Sequence, residues 1–114
     1  MKTLFIDIDG TLFKHNGSFS SIALKEATLL PDVREQMDEW CSKEYKIILT
    51  TARRESLRTR TESELARLGI PYDVLVMGIS KGHRVVINDR RPNGDETAFS
   101  VNINRDSGLG EVEL

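Results

Sequence analysis

One segment limits what this chain can fold into more than any other: the sequence FIDIDGTL at residues 5–12. Residues 4–8 are apolar and rich in aromatic and branched side chains, which predicts a buried β-strand. Asp7 and Asp9 lie at its carboxyl end, where a carboxylate is costly unless a metal ion or a functional site compensates for it. Gly10 then permits a tight exit and a close approach to a ligand. Carboxylate and carbonyl oxygens suit Mg²⁺, which often completes its shell with substrate phosphate, so we expect a Mg²⁺ site here. The alternative is an acidic strand end leading into a solvated turn.

Composition predicts an ordinary compact domain. The chain has 114 residues, is 39% hydrophobic and 30% charged, and has a formal net charge of −2. Such a chain is expected to form one domain over residues 1–114. The charge disfavours nonspecific nucleic-acid binding, and no apolar run is long enough to cross a bilayer. Cys41 is the one cysteine, which excludes an internal disulfide and favours a cytoplasmic location.

Strand and helix patterns alternate along the chain. Helices are predicted from Pro31 onward and over residues 55–68, where Gly69 is the stop signal. Residues 13–21 are predicted to form a loop or small hairpin flap. Alternating strands and helices imply an α/β fold, which we expect to be a Rossmann-like three-layer sandwich with a mainly parallel five-stranded sheet. The five predicted strands are residues 4–8, 46–50, 74–77, 84–88 and 98–103.

Two further predicted strands also end in polar residues. Thr51 follows the strand at 46–50 and precedes a helix, so its hydroxyl and nearby free N–H groups could hold a phosphoryl group. A helix cap is the alternative for Thr51. Asp89 follows the strand at 84–88, and parallel strands bring their carboxyl ends to one sheet edge. A simple turn is the alternative there.

The octapeptide resembles the first motif of the haloacid dehalogenase (HAD) superfamily of phosphohydrolases, hydrophobic-Asp-x-Asp-Gly-Thr-Leu. The resemblance implies that Asp7 is a nucleophile that forms an aspartyl-phosphate and that Asp9 is the general acid and base. It also implies that Mg²⁺ is held by Asp7, the backbone carbonyl of Asp9, and Asp89. Gly10 and Thr11 would contact the substrate.

The other family motifs match less closely. In the second motif Thr51 would be the phosphate ligand, although Ala52 stands where the family often has glycine. The third motif needs a basic residue, for which Lys81 is the natural candidate. The connection that holds Lys81 is too short for a crossover helix, so Arg84 or Arg53 could supply the positive charge instead, and both are candidate substrate contacts.

The fourth motif would place a second acid four residues after Asp89, and this chain has Asn93 there. An asparagine can still donate an oxygen ligand or orient a metal-bound water. If Asp89 is not the ligand, Asp95 is the next candidate.

Spacing between the motifs leaves no room for a cap domain. By analogy with capless relatives, the site would be open, with a large substrate or a neighbouring subunit as its lid, so a homo-oligomer is possible. The substrate could be a phosphorylated sugar, a nucleotide or a phosphorylated polymer end. Arginines after the predicted strand ends could form a rim for a second phosphate or carboxylate; they are Arg53, Arg54, Arg90 and Arg91.

Two other functions are compatible with the sequence. A catalytically inactive HAD-like domain could use the aspartates for metal or partner binding, because the third and fourth motifs depart from the family pattern. A response-regulator receiver also combines Mg²⁺, Asp, Thr and Lys on a parallel sheet. Its phosphoacceptor would follow the middle strand rather than the first, which disfavours this interpretation.

Overall fold

A computed structural model of the chain describes residues 1–17 and 25–114. Part of the predicted flap, residues 18–21, lies outside the described residues. None of the helices in the described part is both long and apolar enough to cross a membrane.

Three parallel strands form the sheet, in the order in which they occur along the chain. They are β1 (Thr3–Asp7), β2 (Lys46–Thr50) and β3 (Val74–Val76). Ile6 pairs with Leu49, which pairs in turn with Leu75. The first three predicted strands are therefore confirmed, and their carboxyl ends share one edge of the sheet.

In the described part of the chain, two helices connect these strands. Helix α1 (Val33–Ser42) buries Val33, Met37 and Trp40 at helical spacing. A single 3₁₀ turn (Glu55–Leu57) leads into α2 (Arg58–Arg67), which buries Leu65. Gly69 follows α2 with a positive φ of 68°, which glycine adopts without strain and which ends the helix as predicted.

The sheet buries only one of its two faces. Ile6, Ile47, Leu49 and Leu75 share the buried face and belong to one apolar cluster with the buried side chains of both helices. The opposite face carries Phe5, Ile48, Val74 and Val76, and we call it the open sheet face. Phe5 is 62% exposed, Val74 41% and Val76 38%. The described residues thus form two layers, and the predicted third layer is absent from them.

The prediction of a five-stranded sheet is wrong, because residues 84–88 and 98–103 add no strand to it. A fourth parallel strand needs a crossover of a dozen or more residues, and only residues 78–83 separate the end of the third predicted strand from Arg84. They form no helix. The chain instead leaves the core, and every residue from 85 to 102 except Ala98 is exposed. We call residues 85–102 the arm.

The arm is a hairpin that turns at residues 92–93. The Arg91 N–H donates to the Asp95 carbonyl (3.0 Å), the Gly94 N–H donates to the Arg91 carbonyl (2.8 Å), and Arg90 pairs with Glu96 (3.3 Å). These contacts make the two halves of the arm antiparallel. The molecule is correspondingly elongated, with extents of 50 × 28 × 24 Å.

After the arm, the C-terminal segment returns to the core. Leu109 and Val112 are buried, and the Leu109 N–H donates to the Pro31 carbonyl (3.2 Å). Gln36 on α1 donates to the carbonyls of Leu109 (3.0 Å) and Val112 (2.8 Å). The tail therefore fastens to the start of α1.

Candidate active site

A tight turn follows β1. We call residues 7–13, which include this turn and both acids, the acid turn. The Ile8 carbonyl accepts backbone N–H groups from Thr11 (3.1 Å), Leu12 (2.8 Å) and Phe13 (3.0 Å). Gly10 within this turn has a φ of 91°, a value that side-chain-bearing residues rarely adopt. The turn breaks the regular alternation of the strand, so Asp7 and Asp9 have different surroundings.

Asp7 lies at the carboxyl end of β1, between a hydroxyl and a guanidinium. Thr11 Oγ1 donates to Asp7 Oδ2 (3.2 Å), and Arg84 Nη2 lies 3.3 Å from Asp7 Oδ1. Burial raises the pKa of the Asp7 carboxyl above its usual range, while the Arg84 charge and the Thr11 hydrogen bond act to lower it. Asp7 is thus a half-buried carboxylate with a cation beside it, which suits a nucleophile.

Asp9 is held by a different cation. Arg53 Nε donates to Asp9 Oδ2 and Arg53 Nη2 to Asp9 Oδ1, both at 2.8 Å. Such two-point contact is the strongest form of carboxylate pairing and fixes orientation as well as distance. The sequence placed Arg53 among the substrate contacts and the surface rim. The structure instead buries its guanidinium in the protein interior, where it pairs with Asp9.

Arg53 connects the acid turn to helix α2. Its side chain is 1% exposed, and its Nη1 donates to Glu64 Oε1 (2.7 Å) and Thr61 Oγ1 (3.0 Å). The guanidinium carbon also lies 5.7 Å from the centre of the Phe13 ring. Burial would lower the pKa of the Arg53 guanidinium, but hydrogen bonds and charge from Asp9 and Glu64 outweigh burial and raise it. Arg53 is therefore a buried cation that positions Asp9.

Thr51 occupies the neighbouring strand end, as its sequence position predicted. Its side chain is buried, and Thr51 Oγ1 accepts the Arg53 N–H (3.0 Å). The Gly78 N–H donates to the Arg53 carbonyl (2.8 Å) and the Ile79 N–H to the Thr51 carbonyl (3.2 Å). The loop after β3 therefore lies against the second motif. The phosphate-binding role of Thr51 stays a prediction.

Among the basic residues beyond β3, Arg84 forms an ion pair with Asp7. The Arg84 side chain is 44% exposed where it meets Asp7. Lys81 lies in the exposed loop between β3 and Arg84. The observed ion pair places the Arg84 charge beside the candidate nucleophile.

Asp89 lies in the arm, exposed to solvent. Its backbone carbonyl accepts a hydrogen bond from Thr97 on the opposite half of the hairpin. Asn93 and Asp95 bond to each other at the tip of the arm (3.0 and 3.1 Å). Residues 1–17 and 25–114 contain no group of three or more His, Cys, Asp or Glu side chains placed to hold a metal. Within one chain, Asp89 does not join Asp7 and Asp9 in such a group.

The C-terminal segment contributes two residues that sequence reasoning missed. The Asp106 N–H donates to the Gly10 carbonyl (2.9 Å), and Asp106 Oδ1 accepts the His15 N–H (2.8 Å). A Cβ on Gly10 would lie 3.2 Å from Arg105 Cγ, so Arg105 lies over the acid turn. The polar sequence NRDSG at 104–108 marks a turn, but it does not indicate contact with the N-terminal motif.

Two oxygen donors in the acid turn fit Mg²⁺. The Asp7 carboxylate and the Asp9 carbonyl are hard ligands, and Mg²⁺ is usually bound through one or two carboxylates, with waters and substrate phosphate filling its other positions. The fit rests on the chemistry of these donors, and it needs no complete protein cage.

Comparisons with known proteins support the fold more than an activity. No family model and no curated protein matches the chain. A solved structure titled "Structure of Pnkp1/Rnl/Hen1 complex" matches 74% of this chain at 30% identity with a TM-score of 0.61. The chain spans only 30% of that protein's length. A crystal structure of an MCSG target from Vibrio cholerae matches 78% of this chain and 80% of its own, at 26% identity with a TM-score of 0.53. The α/β core is therefore similar to solved structures.

Proposed function

We propose that this chain is a Mg²⁺-dependent phosphatase of the HAD type, which hydrolyses a phosphate monoester through an aspartyl-phosphate on Asp7. The main supporting observation is that Asp7 and Asp9, two residues apart, pair with different cations. Asp7 pairs with the partly exposed Arg84, and Asp9 pairs with the buried Arg53. A nucleophile and an acid–base group need such separation because each has to perform its own task. The structural similarity to a protein of a Pnkp1/Rnl/Hen1 complex agrees with this class of fold.

In the first step an ionised Asp7 oxygen attacks phosphorus, and the bond from phosphorus to the ester oxygen breaks. Asp9 donates a proton to that leaving oxygen. In the second step Asp9 takes a proton from a water that attacks the phosphorus, which releases inorganic phosphate and restores Asp7. Each ionised carboxylate oxygen has two lone pairs, so Asp9 can exchange a proton while it accepts hydrogen bonds from Arg53.

Positive charge and hydrogen bonds around the turn suit a phosphoryl group. Arg84 lies beside Asp7, and Arg105 lies over Gly10, so both can approach a substrate anion from the open side. Thr51 and Lys81 are proposed as the remaining phosphate contacts. When bound, Mg²⁺ would neutralise charge as the phosphoryl group moves; Asp7, the Asp9 carbonyl and Asp89 are its proposed ligands.

The test is phosphate release from p-nitrophenyl phosphate and from a panel of phosphorylated sugars, nucleotides and 3′- or 5′-phosphorylated oligonucleotides, with and without Mg²⁺. Wild type should be active only with Mg²⁺. Asp7→Asn should lose roughly 10⁴-fold or more in kcat, because an amide cannot attack phosphorus. Asp38→Asn, which changes an exposed acid on α1, is the matched control and should retain full activity. Asp7→Asn turnover above about a tenth of wild type would exclude Asp7 as the nucleophile.

The position of Asp89 favours a second candidate, a non-catalytic metal- or partner-binding domain. In the described chain no third acid joins Asp7 and Asp9. This candidate predicts Mg²⁺ binding by calorimetry with no phosphate release from any panel member.

A further inference from the structure

Nearly all of the large apolar side chains left exposed in the described residues lie on two surfaces. Apart from Met1, those more than a third exposed are on the open sheet face or on the arm. Soluble proteins seldom leave such groups together in water unless the surface binds something. On the arm they are Val85 (78%), Val86 (61%), Ile87 (91%), Phe99 (70%) and Val101 (51%).

The arm has one apolar side. Contacts join Arg91 to Asp95, Arg90 to Glu96 and Asp89 to Thr97, all in one antiparallel register. We extend this register beyond the last of these contacts, which pairs Ile87 with Phe99 and Val85 with Val101. Opposed residues of an antiparallel pair lie on the same side, and alternate residues along each strand share that side. The extended register therefore places these four exposed side chains on one side of the arm.

The open sheet face is a matching surface. Phe5 is in register with Ile48, and Ile48 with Val74, so the three form a row across the sheet. Val76 lies in the next row, which also contains Thr50 and Asp7. No helix of the described chain covers this face, because both α1 and α2 pack on the other one.

The arm does not cover the open sheet face of its own chain. Phe5, Val74 and Val76 remain exposed, and so do Val85 and Ile87. A two-stranded hairpin that packs against nothing is marginally stable at best in water. Among residues 1–17 and 25–114, neither surface therefore has a partner.

We propose that the partner is a second copy of this chain, and that the arm of each copy packs its apolar side on the open sheet face of the other. A two-fold pair of this kind is isologous and buries both unpartnered surfaces at once. The apolar side of the arm and the open sheet face supply four large apolar side chains each, so the two surfaces are matched in size and chemistry. A different protein would need to match two separate surfaces of this chain.

The proposal concerns assembly and does not depend on catalysis. It also bears on the acid turn, because Asp7 and Val76 lie in one row of the sheet with Thr50 between them. An arm on this face would lie against the carboxyl edge that holds Asp7. The partner copy would thus cover the side of the site that one chain leaves open.

The test measures molar mass in solution by light scattering over a range of concentrations. Wild type should have at least twice the mass of one chain. Ile87→Glu on the arm and Val74→Glu on the open sheet face should each reduce the mass to that of one chain, because each would bury a charge in the interface. Thr59→Glu, at an exposed position on α2, is the control and should leave the mass unchanged.

Hydrogen exchange supplies a second measurement. In wild type the amides of residues 85–87 should exchange slowly, and Val74→Glu should make them exchange fast although it alters a different part of the chain. Wild type at the mass of one chain throughout, or an Ile87→Glu mass equal to that of wild type, would overturn the proposal. If Val74→Glu fails to fold, Ile87→Glu decides alone, since that side chain is 91% exposed. Phosphate release is assayed separately, so failure of the assembly and failure of the phosphatase are distinguishable.

Discussion

Two segments of similar sequence differ in burial: one is a strand of the core, and the other is exposed in the arm. Residues 47–49 (IIL) and 85–87 (VVI) are both short apolar runs that precede a polar residue. Ile47 is 2% exposed and Leu49 is fully buried, whereas Ile87 is 91% exposed. The difference lies in what precedes each run. Helix α1 returns the chain to the start of β2, whereas residues 78–83 are too few to return it to the start of a further parallel strand.

Arg53, which follows β2, and Arg84, which precedes the arm, also differ in burial. Removing these two cations should give the largest difference in stability. Arg53 is buried between Asp9 and Glu64, whereas Arg84 meets Asp7 where both are partly exposed. Arg53→Leu should lower the free energy of unfolding by about 3–5 kcal/mol, because it leaves two carboxylates without their cation. Arg84→Leu should lower it by less than about 1 kcal/mol.

Urea unfolding followed by circular dichroism measures both changes. Arg53→Lys is the conservative control: it keeps the charge but loses the two-point contact, so its cost should fall between the two. Equal costs for Arg53→Leu and Arg84→Leu would mean that Arg53 does not anchor the acid turn.

The apolar runs themselves give the next comparison. Leu49→Ala should destabilise the chain by about 2–5 kcal/mol, since it leaves a cavity in the core. Ile87→Ala should change stability by no more than about 0.5 kcal/mol, as for other surface positions. Both are to be made in the Val74→Glu background, in which we expect single chains, and followed by urea unfolding. A large cost for Ile87→Ala there would show that the arm folds back on its own core.

Much of the core could be predicted from such runs, because β1, β2 and β3 show strand patterns and both helices show apolar spacing and end signals. The five-stranded sheet was wrong because an apolar run indicates a β-strand but does not identify the strand it pairs with. At the candidate site, the burial of Arg53 could likewise not be predicted. Its place after β2 was evident, but its burial depends on Glu64 and Thr61, which only the packing of α2 brings near. The contact of Asp106 with Gly10 joins residues almost a hundred positions apart, and no local pattern encodes it.

The proposed role of Asp89 as a Mg²⁺ ligand tests whether the arm takes part in the active site. If this arm residue reaches a Mg²⁺ site in the assembly, Asp89→Ala should raise the Mg²⁺ concentration for half-maximal phosphate release, because the site loses one oxygen ligand. The expected change is roughly tenfold or more, the lower end of what is seen when partners of a metal site are removed. Glu96→Ala, which also changes an exposed acid on the arm, is the control. An unchanged requirement in Asp89→Ala would exclude Asp89 as a ligand.

The smallest effect concerns pH. The Arg84 charge acts to lower the pKa of Asp7, against the burial that raises it. Asp7 must be ionised to attack, so activity falls as the pH drops through its pKa. Removing the cation in Arg84→Gln should raise that pKa and move the loss of activity to higher pH, by less than about one unit for so exposed a pair.

The pH profile of kcat/KM measures this shift. Arg90→Gln removes an arginine that pairs with Glu96 on the arm instead, and its profile should match wild type. A shift to lower pH in Arg84→Gln would contradict the assigned role.

The two ends of the arm lie against the same short turn. The chain departs after Arg84, which touches Asp7, and rejoins the core at Asp106, which bonds the carbonyl of Gly10. The arm therefore begins and ends close to the acid turn. Because its two ends are held near each other, the core places little constraint on its length. Doubling the length of a loop costs only about 0.6 kcal/mol in closure entropy. Related chains could therefore lengthen, shorten or replace the arm while the acid turn keeps its shape. The length of the arm can therefore change while the fold of the core stays the same.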